Sequence, residues 1–301
     1  MERSSIRVLV IGATGKFAGL VVPALRRQGA SVRALVRDER RAAIATAVGA
    51  TETVFGNLRD RQSLIRAADG MDGVFYIGPA FAADETAMGL AIVDAAIKAN
   101  VRKFVFSSVI QPTNLRLQNH ASKVPVEEAI YASSLEYTIL HPANFMQNIG
   151  LVWPSILRTG RFAEPFPNDS RIARVDYRDV AEVAATALTR DGLAYATLDL
   201  CAGMYSRVEI ARIMSEELGR PIEAQELPFS EWALASQLPY DDRQLGLLAK
   251  VHDHYRRYGL GGNPLTLAAA LGRRPTTLKD YVRDLAADWN LTGKPGETID
   301  A

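Results

Sequence analysis

A glycine-rich stretch near the start of the chain has the residue types that a phosphate-binding turn requires. Residues 12–19 read GATGKFAG and directly follow the apolar run RVLVI at residues 7–11. Gly12 permits a tight turn, and Gly15 lets backbone N–H groups approach a pyrophosphate at the N-terminus of a helix. Ala18 is small enough for a helix to pack closely on a strand. This context predicts dinucleotide binding, with an ordinary strand-to-helix turn as the alternative.

A cation at the end of the second predicted strand indicates which dinucleotide is bound. The run SVRALV at residues 31–36 is followed by Arg37, where an NAD-binding unit usually has Asp or Glu for the ribose 2′-hydroxyl. A planar guanidinium suits a 2′-phosphate, and Lys16 in the glycine loop adds a second positive charge. Asp38 is better placed as a helix N-cap. We therefore expect NADP(H) to be preferred, with NAD(H) possible.

The stretch NHASK at residues 119–123 has polar side chains at helical spacing. If one helix runs over about 118–133, Asn119, His120 and Lys123 share a face. Lys123 is a candidate site residue, and a solvated helix lysine is the alternative. His120 is a candidate proton donor, because an imidazole exchanges protons near neutral pH, and a surface or capping histidine is the alternative.

Other polar and apolar residues have weaker claims to function. Ser107 and Ser108 end the fifth predicted strand, the edge of the sheet where open α/β folds bind ligands, so the Ser108 hydroxyl could orient a substrate oxygen. A hydrogen bond at the strand end explains it equally well. A substrate pocket between the lobes could be walled by Phe81, Met146, Trp153, Phe166 and Trp232, although each of these is also a typical core residue.

Alternating apolar and amphipathic segments predict the fold that positions these residues. Strands are expected at 7–11, 31–36, 51–55, 74–78, 102–108 and 136–140, with helices between them. This order indicates an α/β, doubly wound parallel sheet of Rossmann type, in which Pro23 kinks the first helix. A Pro-rich loop is expected at 162–170, and residues 228–291 read as helical. We expect an NAD(P)-binding domain over 1–150, completed by 171–200, and a smaller substrate-binding lobe, mainly helical, over 151–301.

Composition excludes several classes of function. The 301 residues are 48% hydrophobic and 23% charged, and the formal net charge of +1 gives no electrostatic footprint for nucleic acid or an anionic membrane. No apolar run approaches the roughly 18 residues of a membrane span. The single cysteine, Cys201, excludes an internal disulfide, and His252 and His254 are too few and wrongly spaced for a metal site. We expect a cytoplasmic monomer or small homo-oligomer.

Several motifs taken together resemble one family. They are VLVIGATGKFAG at 8–19, ALVRD at 34–38, GNLxDxxSL at 56–64, FSS at 106–108, HxxK at 120–123, YTILHPANFMQN at 137–148 and VDYRDVAEVAA at 175–185. Over about residues 6–220 the chain resembles the NmrA-like atypical short-chain dehydrogenases/reductases. The resemblance implies a Rossmann domain with a small C-terminal lobe that binds NADP(H) or NAD(H). Members of the family include reductases of quinones and dyes, and redox-sensing regulators.

The resemblance also implies roles for single residues. The pyrophosphate would be surrounded by Gly12, Thr14, Gly15, Lys16 and Phe17, and the 2′-phosphate held by Arg37. The adenine would be flanked by Asn57 and Leu58, and the cofactor lined by Ile77, Gly78 and Pro79. Lys123 would reach the nicotinamide ribose, beside Pro142, Asn144 and Phe145. One departure is His141, where the family usually has arginine.

A second departure concerns the proton donor. Short-chain reductases commonly have a Tyr-x-x-x-Lys pair, but Asn119 stands four residues before Lys123, and none of the 10 tyrosines is followed by lysine at that spacing. Reduction of an isolated ketone leaves an alkoxide that needs a nearby acid, whereas a quinone, enone or cationic dye spreads the incoming electron pair. The sequence thus predicts an NADPH-dependent reductase of a conjugated, mostly apolar small molecule, with Lys123 and His120 as catalytic candidates. A regulator that binds NADP(H) and a protein partner without turnover is the alternative.

Overall fold

The computed structural model describes residues 5–292, and within that range the chain divides into two compact units. The first unit contains residues 5–142 and 178–198, and the second contains residues 143–177 and 199–292. Each unit has its own apolar core.

The strands are short and the helices of ordinary length. The strands are β1 (Arg7–Ile11), β2 (Ser31–Val36), β3 (Glu52–Phe55), β4 (Gly73–Ile77), β5 (Lys103–Ser107), β6 (Glu136–Pro142), β7 (Asn144–Phe145), β8 (Arg161–Glu164), β9 (Ile172–Val175), β10 (Ala196–Leu200), β11 (Gly203–Tyr205) and β12 (Glu223–Glu226). The helices are α1 (Val21–Arg27), α2 (Glu39–Ala47), α3 (Arg61–Ala68), α4 (Glu85–Lys98), α5 (Gln118–Ala121), α6 (Val124–Tyr131), α7 (Gln147–Thr159), α8 (Tyr177–Thr189), α9 (Arg207–Leu218), α10 (Phe229–Ser236), α11 (Asp242–Tyr258), α12 (Leu265–Leu271) and α13 (Leu278–Thr292).

The central sheet has seven strands in the order β10-β6-β5-β4-β1-β2-β3. The pairs from β3 to β6 are all parallel. The strand order reverses direction between β1 and β4, and open α/β sheets bind ligands at such a switch point, outside the carboxyl ends of the strands. The predicted parallel sheet of Rossmann type is confirmed.

Alternate strand residues form the core of the first unit, because successive side chains of a strand point to opposite faces. Leu9 and Ile11 of β1, Tyr76 of β4 and Phe106 of β5 are all buried in one cluster with residues of α3, α4 and α6. The rings of Tyr76 and Phe106 stack with centroids 5.5 Å apart. This packing holds α4 and α6 against one face of the sheet.

Local signals for helix ends are confirmed at several points. The Asp38 side chain accepts a hydrogen bond from the N–H of Arg41, so Asp38 caps α2 as expected, and Asp60 caps α3 in the same way. Pro23 does not interrupt a helix. A 3-10 turn over Ala18–Leu20 precedes α1, which places Pro23 in the first helical turn, where its missing N–H has no partner to lose.

The predicted helix over 118–133 is two helices, α5 and α6. Pro125 lies at the start of α6, and it has no N–H to bond the carbonyl of the residue four positions earlier. Ser122 and Lys123 form the junction between the two helices. The expectation of one continuous helix over 118–133 is therefore wrong, although the backbones of Ser122 and Lys123 keep helical φ and ψ angles between the two helices.

The second unit contains more strand than its sequence indicates. A three-stranded sheet has the order β11-β9-β7, and β8 pairs in parallel with β12. The sequence predicts a loop at 162–170, but its first residues belong to β8. Residues 228–291 are largely helical, as expected. No helix in residues 5–292 is long and apolar enough to cross a bilayer.

Candidate functional site

The glycine loop between β1 and α1 is a tight turn that leaves little room for side chains. Gly12 has φ of +77°, a conformation that favours glycine. The N–H of Gly15 donates to the Gly12 carbonyl at 2.7 Å, and a Cβ on Gly15 would lie 3.1 Å from that oxygen. Backbone can thus approach a phosphate group closely at these positions, which fits the predicted dinucleotide loop.

Basic side chains lie around this loop and the end of β2. Arg37 is exposed and forms no ion pair with any residue in the described range. The Arg41 guanidinium donates to the hydroxyl of Thr14 in the loop at 3.1 Å, which brings a second arginine beside the glycine turn. Lys16 is half-buried, and burial lowers the pKa of its ammonium to about 7. This collection of cations is suited to the phosphates of NADP(H).

The loop after β3 has a fixed local geometry. The side-chain oxygen of Asn57 accepts the N–H of Arg59 at 2.9 Å, so the amide nitrogen of Asn57 faces away from the turn. Leu58 packs against the core of the first unit. The Arg59 guanidinium donates twice to the Asp84 carboxylate just before α4, at 2.5 and 2.9 Å, which joins this loop to the loop after β4.

Lys123 is not a solvated helix lysine. It is buried, and its ammonium forms an ion pair with the buried carboxylate of Glu85 on α4. The Ser122 hydroxyl donates to the other oxygen of Glu85 at 3.1 Å. The two helices approach closely because Gly89 has no side chain: a Cβ there would lie 2.5 Å from a methyl group of Val126. An ammonium has three donors, so pairing with Glu85 leaves donors for a second acceptor.

Glu85 also lies beside the predicted cofactor loop after β4. A Cβ on Gly78 would lie 3.0 Å from a carboxylate oxygen of Glu85 and 3.2 Å from the Tyr76 hydroxyl. The structure therefore brings Gly78 and Lys123 together through Glu85. The Tyr76 hydroxyl is buried without a hydrogen-bond partner in the described range. Burial, assisted by the negative charge of Glu85, raises the pKa of Tyr76.

A second buried carboxylate lies between the ends of β5 and β6. The Ser108 hydroxyl donates to Oε1 of Glu127 on α6, and Nε2 of His141 lies 3.1 Å from the same oxygen. Ser108, Glu127 and His141 are 5%, 7% and 7% exposed, so bulk water does not separate them. The serine is bonded to the carboxylate and not to the imidazole, so this is not the nucleophile–base pair of a hydrolase.

The residues at the position of the missing tyrosine are largely enclosed. The His120 ring is buried, with Nδ1 3.0 Å from the carbonyl oxygen of Gln111, so it helps to hold the loop after β5. The side-chain oxygen of Asn119 is buried and accepts no hydrogen bond from the residues described. A buried oxygen that accepts no hydrogen bond destabilises the folded protein. A ligand N–H or O–H that donated to this oxygen would remove the cost.

Five further predicted residues have mixed surroundings. Ile77 is half-buried, Pro79 is exposed and Pro142 is buried. Phe17 is half-buried beside Lys16, whose Nζ lies 5.7 Å from its ring centroid. Phe81 is buried with φ of +63°, which is strained for a bulky side chain. Strain of this kind is common at ligand-binding loops, so Phe81 stays a predicted substrate residue.

In the second unit, the predicted aromatic and sulfur-containing wall is mostly packed inside. Met146 and Trp153 are fully buried in the apolar core of this unit, which favours a packing role for both. Phe145 contacts the ring of Tyr177 edge-on, with centroids 4.8 Å apart. The Asn144 side chain accepts a hydrogen bond from buried Arg174 at 3.1 Å.

That arginine belongs to a charged cluster that the sequence did not indicate. Arg174 donates to both oxygens of Glu164 at 2.9 and 3.1 Å, and Nε of buried Arg207 lies 3.6 Å from the same carboxylate. Burial alone would raise the pKa of Glu164, but the two guanidinium charges outweigh it and hold that pKa below its usual value. His252, packed between the rings of Phe166 and Trp232, has its pKa lowered to about 4 by burial.

The single cysteine has a plain structural role. Cys201 is buried, with its thiol directed at the carbonyl oxygen of Gly203 at 3.5 Å, and burial raises its pKa. Residues 5–292 contain no cluster of three His, Cys, Asp or Glu side chains that could hold a metal ion.

A parallel sheet with its switch point at β1 and β4, and a glycine turn beside it, defines a Rossmann-type nucleotide-binding protein. The profile of the NmrA-like family matches residues 4–282, and this chain belongs to the NmrA-like family. The family suggested by the sequence motifs is thereby confirmed.

Named relatives are similar over most of the chain. An NAD(P)H azoreductase from Xenophilus azovorans is 32% identical over 223 residues, which are 71% of this chain and 75% of the relative. A (4-alkanoyl-5-oxo-2,5-dihydrofuran-3-yl)methyl phosphate reductase from Streptomyces griseus is 33% identical over 228 residues, 73% of this chain and 77% of the relative. The crystal structure of Citrobacter sp. triphenylmethane reductase complexed with NADP(H) has the same fold, with a TM-score of 0.81 at 22% identity, covering 92% of this chain and 99% of that one.

Proposed function

We propose that this protein is an NADPH-dependent reductase that transfers a hydride to a conjugated, mostly apolar small molecule. The observation that carries the proposal is the glycine turn after β1, which contains Lys16 and is contacted by Arg41, with Arg37 after the neighbouring strand β2, in a chain that has relatives named as reductases. An azo compound and a dihydrofuranone are both conjugated acceptors, and these are the substrate types in the relatives' names.

The cofactor site is proposed from the geometry of the first unit. The backbone turn at Gly12 and Gly15 would hold the pyrophosphate, with Thr14, Lys16 and Phe17 around it. Arg37 and Arg41 would hold the 2′-phosphate, because a fixed guanidinium matches the phosphate oxygens with paired donors. When bound, the nicotinamide supplies the hydride. Arg41 was missed by the sequence reading, although the run DERR after β2 places a basic residue one helical turn beyond Arg37.

The remaining predicted residues are assigned by position. The amide nitrogen of Asn57 would donate to the adenine, with Leu58 beneath the ring. The loop of Ile77, Gly78 and Pro79 would lie along the cofactor, and Lys123, held by Glu85, would donate to the nicotinamide ribose. Pro142, at the end of β6 in the first unit, would lie beside the nicotinamide, and Asn144 and Phe145 stay predictions from the family resemblance.

The preference for conjugated acceptors follows from what stands in place of a tyrosine. Asn119 supplies an amide, which does not donate a proton to an alkoxide at neutral pH. His120 is buried with one ring nitrogen directed at a backbone carbonyl oxygen. An isolated ketone would therefore lack a strong acid at the tyrosine position, whereas a delocalised acceptor tolerates a weaker proton donor such as a serine hydroxyl.

Cofactor titration tests the first half of the proposal. NADPH is expected to bind more tightly than NADH, and Arg37→Asp is expected to weaken NADPH binding by about 10- to 100-fold, because a charge-assisted hydrogen bond contributes roughly 1.5–3 kcal/mol. Arg158→Asp, an exposed arginine of α7, is the charge-matched control. Equal affinity for the two cofactors in the parent protein would refute the proposed preference.

Steady-state assays test the second half. We expect NADPH oxidation with a quinone or an azo dye at a kcat/KM roughly 10²-fold or more above that of an isolated ketone of similar size. Tight NADPH binding without turnover of any acceptor would instead favour the alternative, a nucleotide-sensing regulator. Comparable rates for quinone and ketone would show that an efficient proton donor exists for simple carbonyls.

A further inference from the structure

Glu127 joins two proton-bearing groups through a single atom. Its Oε1 accepts the hydroxyl proton of Ser108 and lies 3.1 Å from Nε2 of His141. Three elements fix this geometry. Ser108 directly follows β5, where its N–H donates to the Leu140 carbonyl at 2.8 Å, His141 is on the neighbouring strand β6, and Glu127 is on α6.

We propose that Ser108, Glu127 and His141 form a buried proton relay. The relay delivers the proton to the substrate in a site that has no tyrosine to do so. The inference rests on the proposed reductase function. Ser108 lies at the carboxyl edge of the sheet, where open α/β folds bind their ligands, and its hydroxyl can rotate from Glu127 toward an acceptor oxygen. His141 lies deeper along the chain of hydrogen bonds, and an imidazole can both take up and release a proton.

The step balances in atoms and electrons. A quinone takes a hydride from the reduced nicotinamide, which is oxidised by two electrons, and the quinone becomes a hydroquinone anion. Its oxygen takes the Ser108 proton as Nε2 of His141 passes a proton to Oε1 of Glu127, and that oxygen passes the proton on to Ser108. The relay begins with an imidazolium and a carboxylate and ends with a neutral imidazole and a carboxylate. Solvent then returns one proton to the imidazole of His141.

The residue type at 141 distinguishes a relay from a plain ion pair. An arginine beside Glu127 would also neutralise the carboxylate, but a guanidinium does not release a proton in proteins. Histidine can both pair with the carboxylate and release a proton. The variant His141→Arg therefore keeps a cation beside Glu127 and removes the transferable proton.

Two acceptors separate proton delivery from every other part of turnover. A cationic triphenylmethane dye takes a hydride and becomes neutral, so its reduction needs no proton. A quinone needs a hydride and a proton. The ratio of quinone kcat to dye kcat therefore reports proton supply, while the dye rate reports folding, cofactor binding and hydride transfer in the same protein.

We expect Ser108→Ala, Glu127→Gln and His141→Arg each to lower this ratio by about 10²-fold, the lower end of general acid catalysis. The solvent deuterium isotope effect on quinone kcat should be present in the parent and absent with the dye. The control is Glu136→Gln, because Glu136 pairs with buried Lys103 at the opposite ends of the same two strands. This control should leave the ratio unchanged.

A measurement without turnover completes the test. In the cofactor-free protein, nitrogen NMR should show a proton on Nε2 of His141, and Glu127→Ala should shift or abolish that signal. An unprotonated Nε2, or equal losses of quinone and dye turnover in the three variants, would overturn the relay. A parent protein that reduces the dye but not the quinone would overturn it as well, whereas turnover of neither acceptor would refute the proposed function itself.

Discussion

The lowered pKa of Lys16 predicts a pH-dependent affinity for NADPH. Burial brings the pKa of this ammonium from 10.5 to about 7, so near neutral pH half of the free protein lacks its charge. Phosphate oxygens beside Lys16 would favour the charged form and raise its pKa, so binding takes up a proton above pH 7. We take the pKa of Lys16 in the complex to return to its ordinary value. The NADPH dissociation constant then rises with pH in proportion to one plus the ratio of neutral to charged Lys16 in the free protein. Between pH 6.5 and 8.5 this is an increase of about 25-fold.

The direction of this pH dependence distinguishes the ionisation of Lys16 from that of the 2′-phosphate. The second pKa of a phosphate monoester is about 6, so the 2′-phosphate is already doubly charged over most of this range. Lys16→Arg supplies a charge that is not lost with pH and should flatten the curve above pH 7. Isothermal titration of NADPH in buffers of different ionisation enthalpy measures the proton uptake directly. A parent and a Lys16→Arg variant with the same pH dependence would refute the reasoning.

Other predictions concern the buried charges. Glu164→Gln leaves two buried guanidinium groups without their carboxylate and should lower the free energy of unfolding by about 3–5 kcal/mol, whereas Glu223→Gln, in a solvent-exposed pair, should cost less than about 1 kcal/mol in urea titrations. Between pH 6.5 and 4.5, the His252→Phe variant should lose roughly 2–3 kcal/mol less unfolding free energy than the parent protein. A folded-state pKa of about 4 means that only the unfolded chain takes up a proton at His252 in that pH range. Lys123→Ala should raise the KM for NADPH and destabilise the fold by about 3–5 kcal/mol, and adding Glu85→Gln should restore stability but not KM.

The parts of the fold that depend on local pattern were predictable from the sequence. β1 and β2 have the expected bounds, and β3 to β6 differ by one or two residues at their ends. Capping signals such as Asp38 and Asp60 depend on bonds within one helical turn, so their sequence context is sufficient. Pro125 also indicates the break between α5 and α6, because its missing N–H interrupts the helix. The helical spacing of Asn119, His120 and Lys123 had instead favoured one continuous helix.

The second unit was less predictable because its short strands pair over long sequence separations. β8 pairs with β12 across more than fifty residues, and neither has the apolar alternation of a strand buried on one face. The charged cluster of Glu164, Arg174 and Arg207 was missed for the same reason. Each residue, taken alone in the sequence, looks like a solvated charge, and only the tertiary fold removes them from water.

The same reasoning applies to the candidate site and bears on which acceptors it can take. Glu85 and Glu127 lie in amphipathic helices, where glutamate usually faces solvent, and only their contacts with Lys123 and His141 show that they are buried partners. The buried ammonium of Lys123 is matched by the carboxylate of Glu85, so this pair adds no net charge to the site. A neutral quinone that receives a hydride would become an anion beside the oxidised, cationic nicotinamide, and burying such a pair of charges is costly unless hydrogen bonds satisfy it. A proton must follow the hydride for such an acceptor, whereas a cationic dye loses its charge on reduction, so disabling the proton source should narrow the substrate range toward cations.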